Sequence, residues 1–227
     1  MAGDIHPQNY AAARERMVAE VDAMYAETRH ETGLAVMSPA TRAALGKVQR
    51  HRLVPPAQAS AAYRNHPLPI GGGQTISQPY VVALSTDLMQ VDAASVVLDV
   101  GTGSGYQAAV LAEIVRQVYS IELLESLGQA AASRLAELGY RNVEVRIGDG
   151  YAGWPEKAPF DAIVVTAAAP QVPPALVAQL KPGGRMVIPV GEADNVQYLK
   201  VLTKRADGGY DERRVLPVRF VPLVPKK

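Results

Sequence analysis

The sequence contains no cysteine. That excludes disulfides, thiolate metal sites and a cysteine nucleophile. Its four histidines, His6, His30, His51 and His66, are scattered, with no two at a metal-ligand spacing, so no metal is expected. Charge of one sign is also lacking. The 23 Lys and Arg against 22 Asp and Glu leave a formal charge of +1, which gives nucleic acid and anionic membranes little electrostatic footing. No apolar run approaches the ~20 residues of a membrane span. The first twenty residues mix Asp4, His6, Arg14, Arg16 and Glu20 with apolar ones, unlike a secretory leader. A soluble, cytoplasmic protein is expected.

What is present is 227 residues, 48% hydrophobic and 20% charged, enough for one α/β domain with a sizeable core. Residues 1–60 read as a helical cap within that domain, and residues 61–227 carry the motifs. Ala11 to Ala26 places Met17, Val18, Val21 and Met24 at helical spacing. Thr32-Gly33 reads as a stop, and Ser38-Pro39 as a second helix start. Pro67 to Gly73 combines rigid prolines with three glycines. It leads to a helix for which Ser77 is the N-cap candidate and Pro79 a first-turn residue.

From residue 95 strands and helices alternate, which predicts a doubly wound, mostly parallel sheet. The expected strands are 95–100, 117–121, 143–147, 160–165 and 185–190. Helices are expected to follow the first strand to Val115, over 123–138 and over 173–180, with a turn at Lys181-Pro182-Gly183-Gly184. Residues 197–204 and 213–218 read as a C-terminal antiparallel hairpin.

Asp99-Val100-Gly101-Thr102-Gly103-Ser104-Gly105 closes the first strand and opens a helix. Glycines there let backbone turn tightly beside a ligand. A dinucleotide fingerprint needs glycine at 106, where this chain has Tyr106. The spacing instead fits the G-x-G-x-G of S-adenosylmethionine binders, with Asp99 two places before the first glycine. No phosphate-binding G-x-x-x-x-G-K-S/T occurs. Glu122 follows Gly101 by 21 residues. It is either an ordinary charge opening the next helix or an acceptor for ribose hydroxyls, and beside the glycine turn the ribose role is preferred. Asp149, between Gly148 and Gly150, is either a turn former or an acceptor for an adenine amino group.

Four stretches carry a resemblance: Leu68 to Pro79, Asp99 to Gln107, Gly148-Asp149-Gly150 and Phe160 to Ala168. Together with Arg219-Phe220-Val221-Pro222-Leu223 they resemble the protein-L-isoaspartate O-methyltransferases over about residues 60–224. Leu53, Asn65 and Gly72 depart from the family pattern. The resemblance implies a Rossmann-like methyltransferase that uses S-adenosylmethionine, releases S-adenosylhomocysteine and needs no metal. Its acceptors would be isoaspartyl, and more weakly D-aspartyl, residues of damaged proteins and peptides, and a monomer is expected. By position, Ser77 is the implied catalytic residue. Thr75, Ile76, Asp99, Gly101, Thr102, Gly103, Gly105, Glu122, Asp149 and Gly150 are implied for the cofactor. Pro69, Ile70, Ser77, Thr166 and Ala167 are implied for the substrate. Methylation of aspartate in a specialised ribosomally made peptide, or a protein that binds the cofactor without catalysis, are the alternatives.

Overall fold

The computed structural model describes residues 9–192 and 195–226; Asp4 and His6 lie outside them. Helix α1 (Tyr10–Glu27) buries Met17, Val18, Val21 and Tyr25. The row at 17, 21 and 25 faces the core, so Met24, expected in the stripe, is left half-buried at its edge. A short α2 (Arg29–Thr32) stops at Gly33, which is left-handed. Helix α3 (Pro39–Lys47) begins where the sequence predicts: the Ser38 hydroxyl accepts from Thr41 N at 3.1 Å.

These helices fasten to α4 (Pro79–Met89) through one carboxylate. Asp87 accepts from the Tyr25 hydroxyl at 2.8 Å, from Ser38 N at 2.9 Å and from Ser38 Oγ at 2.7 Å. Burial, with the Asp87 charge adding to it, pushes the Tyr25 hydroxyl far above its ordinary pKa. Arg50 makes a second tie. Fully buried, it donates from Nε to Ala62 O at 2.7 Å and lies 4.5 Å from the centre of the Tyr106 ring. Burial lowers its pKa to about 10, so it stays charged near neutrality.

A hairpin absent from the sequence reading follows: β1 (Leu68–Gly71) and β2 (Gln74–Ile76), antiparallel. Gly72 and Gly73 have φ of 59° and 72°, the positive values a two-residue hairpin turn needs at both positions. Strands this short, with Pro69 in one of them, show no readable alternation. The helix start beyond it also needs correction. Gln78, not Ser77, is the N-cap of α4, and it contributes no side-chain cap. The free Tyr80 N–H is met by Asn65 Oδ1 at 3.0 Å, so capping comes from a loop fifteen residues upstream.

The main sheet holds β3 (Val96–Val100), β4 (Gln117–Glu122), β5 (Val143–Ile147), β6 (Phe160–Val165), β7 (Leu180–Val190), β8 (Gln197–Lys204) and β9 (Tyr210–Val218). Their order is β5-β4-β3-β6-β7-β8-β9. The first five pair in parallel; β8 adds antiparallel to β7, and β9 antiparallel to β8. Helices α5 (Tyr106–Ala112), α6 (Glu125–Glu137) and α7 (Pro174–Ala178) connect them. Two expectations change. Helix α5 ends at Ala112 rather than Val115. The turn at 181–184 bulges within β7: Leu180 pairs with Phe160 and Arg185 already with Ala162. Because the chain leaves β3 toward β4 on one side and reaches β6 on the other, a crevice opens at the carboxyl end of β3. Among the described residues no helix is long and apolar enough to cross a membrane.

Candidate active site

The glycine turn after β3 is shaped by close approach. Gly101 has φ 101°, and a Cβ there would sit 2.7 Å from Thr166 Oγ1. The Thr166 hydroxyl donates to Gly101 O at 2.7 Å, tying the end of β6 to the turn. Glu122, buried at the end of β4, is pinned from both sides. Oε2 accepts from Gly103 N at 2.7 Å and Oε1 from Leu124 N at 3.0 Å. Each oxygen keeps lone pairs for a further donor.

Asp99 lies behind this turn, fully buried. Its Oδ2 accepts from Ser120 Oγ at 2.8 Å, and Ser120 Oγ lies 2.6 Å from Thr102 Oγ1. Burial pushes the Asp99 carboxyl up to about 7; the Glu122 charge adds to the rise and the Ser120 hydroxyl opposes it. Between the ordinary carboxylate value and pH 7 the folded chain therefore holds a proton that the unfolded chain has released. Stability falls as pH rises across that window and is flat on either side. Asp99→Asn, which keeps an acceptor for Ser120, removes this contribution. Denaturant titrations should show the wild type losing stability relative to Asp99→Asn between about pH 4 and 7, by at most ~1.4 kcal/mol per pH unit. Parallel curves would place the carboxyl's pKa at its ordinary value.

Seven of the residues anticipated for the cofactor line one cleft: Thr75, Ile76, Gly101, Thr102, Gly103, Glu122 and Gly150. Three are not among its lining. Asp99 is behind the turn, Gly105 packs on Leu135, and Asp149 accepts from Tyr151 N at 2.8 Å and Lys226 N at 3.1 Å. Of the residues anticipated for the substrate, Ser77, Thr166 and Ala167 line the cleft. Ile70 packs against Gly103 from β1, and Pro69, opposite Thr75 in the hairpin, is exposed.

A second cavity, of about 670 Å³, opens between the cap and the chain beyond β9. It shares Thr75, Ser77, Thr166 and Val221 with the cleft, so these four form a neck between two chambers. The sequence reading missed two contributions. Met24, Thr28 and Glu31 of the cap line the larger cavity, and Val221, Pro222 and Val224 of the tail line the cleft. The tail is held there by Ala168, whose N–H donates to Val221 O at 2.8 Å and whose carbonyl accepts from Leu223 N at 2.7 Å. The matching stretch Arg219–Leu223 was the one sequence signal for this segment.

The lining states what the cleft can hold. Among the described residues Glu122 is its one charged side chain, and no Lys or Arg faces it. A pyrophosphate would find no cation there, which agrees with the absence of Gly at 106. A nucleoside without phosphate, neutral or positive, fits. Its ribose hydroxyls would meet Glu122, and its base the apolar wall of Ile121, Leu123 and Leu124. S-adenosylmethionine, an adenosine that carries a sulfonium, has this chemistry. Among the described residues no three His, Asp or Glu side chains gather as a metal site.

A doubly wound sheet with this cleft at its switch point defines an S-adenosylmethionine-dependent methyltransferase. Residues 21–227 match the protein-L-isoaspartate(D-aspartate) O-methyltransferase (PCMT) family, and the chain belongs to it. It is 57% identical over 211 residues to protein-L-isoaspartate O-methyltransferase 2 of Polaromonas sp. strain JS666, covering 93% of this chain and all of that one. Protein-L-isoaspartate O-methyltransferase 1 of Cupriavidus necator is 56% identical over 216 residues, 95% of this chain and 83% of that one. A solved protein-L-isoaspartate O-methyltransferase superposes with a TM-score of 0.79 at 27% identity over 92% of this chain; the match spans 65% of that longer chain. A Plasmodium falciparum β-aspartate methyltransferase, solved with S-adenosyl-L-homocysteine, gives 0.72 at 26% identity over 89% of this chain and 98% of that one.

Proposed function

We propose that this protein methylates the α-carboxylate of L-isoaspartyl residues, and more weakly of D-aspartyl residues, in damaged proteins and peptides, with Ser77 holding the acceptor. The observation that carries this reading is the neck, where Ser77, Thr75, Thr166 and Val221 border both the nucleoside cleft and the larger cavity. The cofactor supplies a methyl group made electrophilic by the positive sulfur. The acceptor carboxylate is already ionised near pH 7, so the chain need not remove a proton, and no general base stands in the neck. Its residues align and shield instead.

The Ser77 hydroxyl donates to one carboxylate oxygen and leaves the other free to take the methyl group. Thr75 offers a further hydroxyl at the same opening, while the Thr166 hydroxyl is committed to Gly101 O and shapes the wall. Glu122 and the backbone of Gly101 and Gly103 hold the nucleoside. The ester product is primed for ring closure: the following backbone nitrogen attacks the ester carbonyl, methanol leaves, and a succinimide forms. Residues 1–60 act in this reading as a cap on the methyltransferase unit at 61–227 and close the side of the peptide cavity. The near-neutral charge of +1 gives nucleic acid and anionic membranes little footing as partners, and the reading is of a monomer acting in the cytoplasm.

The experiment is transfer of labelled methyl to an isoaspartyl peptide. Label should appear, be released as methanol by mild alkali as an ester requires, and persist after exhaustive chelation. Label stable to alkali, or activity restored only by a divalent cation, would overturn the reading.

A further inference from the structure

Ser77 was expected to cap the helix that follows it, a role that would occupy its hydroxyl. The structure separates the two tasks. Helix α4 begins at Pro79, which has no N–H, with Gln78 as an N-cap that makes no side-chain bond. Val82 N is served by Gln78 O. The Tyr80 N–H is taken by the side chain of Asn65, at 3.0 Å. Asn65 in turn donates from Nδ2 to Met24 Sδ at 2.9 Å. Those two contacts fix which way the amide points, since the reversed amide would set its NH2 against the Tyr80 N–H.

From these contacts we infer that Asn65 is a positioning residue for methyl transfer, capping α4 from outside so that the Ser77 hydroxyl is left for the acceptor carboxylate. The inference rests on the reading of Ser77 given above. Asn65 itself lines neither the cleft nor the larger cavity, so it acts through others. It joins three segments beside the larger cavity. Met24 brings in helix α1 and a wall of the larger cavity. Tyr80 brings in the first turn of α4. Only Gln78 and Pro79 separate Tyr80 from Ser77, and Pro79 fixes one of the backbone angles between them. With the cap in place, Ser77 and Gln78 enter the helix in one geometry. Without it, the exposed Tyr80 N–H competes for the nearest oxygen, and the Ser77 hydroxyl is the local candidate, because serine is a preferred cap. Losing Asn65 therefore turns Ser77 into the cap the sequence suggested.

The test is a double-mutant cycle on isoaspartyl peptide methylation, using Asn65→Ala, Ser77→Ala and the pair, with S-adenosylhomocysteine binding measured on each to confirm a folded cofactor cleft. Asn65→Ala should lower kcat about tenfold or more and leave cofactor affinity within about twofold. In the Ser77→Ala background the same change should cost less than about twofold, because the group it positions is gone. Asn65→Asp, which keeps an oxygen for Tyr80 N, should retain kcat within about threefold. Equal losses from Asn65→Ala in both backgrounds would make Asn65 a general support of the fold and overturn the inference. A folded Asn65→Asp that loses about tenfold or more in kcat would do so too, and decides alone if Asn65→Ala does not fold. Wild-type turnover in Ser77→Ala would instead overturn the reading of Ser77 beneath it.

Discussion

Ser77→Ala should fold normally, bind S-adenosylhomocysteine normally and lose about 2–4 kcal/mol of kcat/KM on isoaspartyl peptides, roughly 30- to 1000-fold. That is the range for removing one donor aimed at the reacting group. From the sequence, a cap role would make the alanine variant ambiguous, because losing a serine cap costs about 1 kcal/mol of stability. The structure removes the ambiguity: Gln78 is the N-cap and Asn65 meets the free N–H, so alanine at 77 deletes a hydroxyl and little else. A melting temperature near that of the wild type with the activity gone is the expected pair of observations. Full turnover would show that backbone N–H groups alone hold the carboxylate.

Glu122→Ala should weaken cofactor binding by about 1.5–3 kcal/mol, some 10- to 150-fold, the value of a hydrogen bond to a charged group. Two effects add. The proposed ribose acceptor disappears, and Gly103 N and Leu124 N, which donate to it at 2.7 and 3.0 Å, lose the oxygens that hold the rim of the turn. Glu122→Gln separates them. It keeps a carbonyl oxygen for one amide but sets an NH2 against the other, so it should fall between the wild type and alanine. Calorimetry with S-adenosylhomocysteine reads all three, and unchanged affinity in Glu122→Ala would remove Glu122 from the cofactor site.

How far the sequence discloses this structure depends on how local each signal is. Strands β3, β4 and β6 are buried on both faces, and such strands read as continuous apolar runs whatever surrounds them. The glycine turn and Glu122 follow from those strands at a fixed spacing. Signals that depend on distant partners were misread or missed. The cap of α4 comes from Asn65, so local grammar chose Ser77. The bulge at 181–184 is visible as a turn, yet pairing with β6 carries the strand through it. Met24 stands at helical spacing with the core row of α1 but borders a cavity, because α1 ends there and the tail after β9 lies across the gap. Val221, Pro222 and Val224 have no periodicity; two backbone bonds to Ala168 place them.

The measurement that bears most directly on the central claim is methyl transfer to two peptides identical except for one linkage, aspartyl or isoaspartyl. Both carry carboxylates of similar basicity, so chemistry alone does not separate them. In the proposed reading the larger cavity and the Ser77 neck do so, by accepting the backbone where it runs through the side-chain carbonyl. The account predicts transfer to the isoaspartyl peptide and little or none to the aspartyl one. Equal transfer to both would contradict it and favour an enzyme that modifies ordinary aspartate in a dedicated peptide.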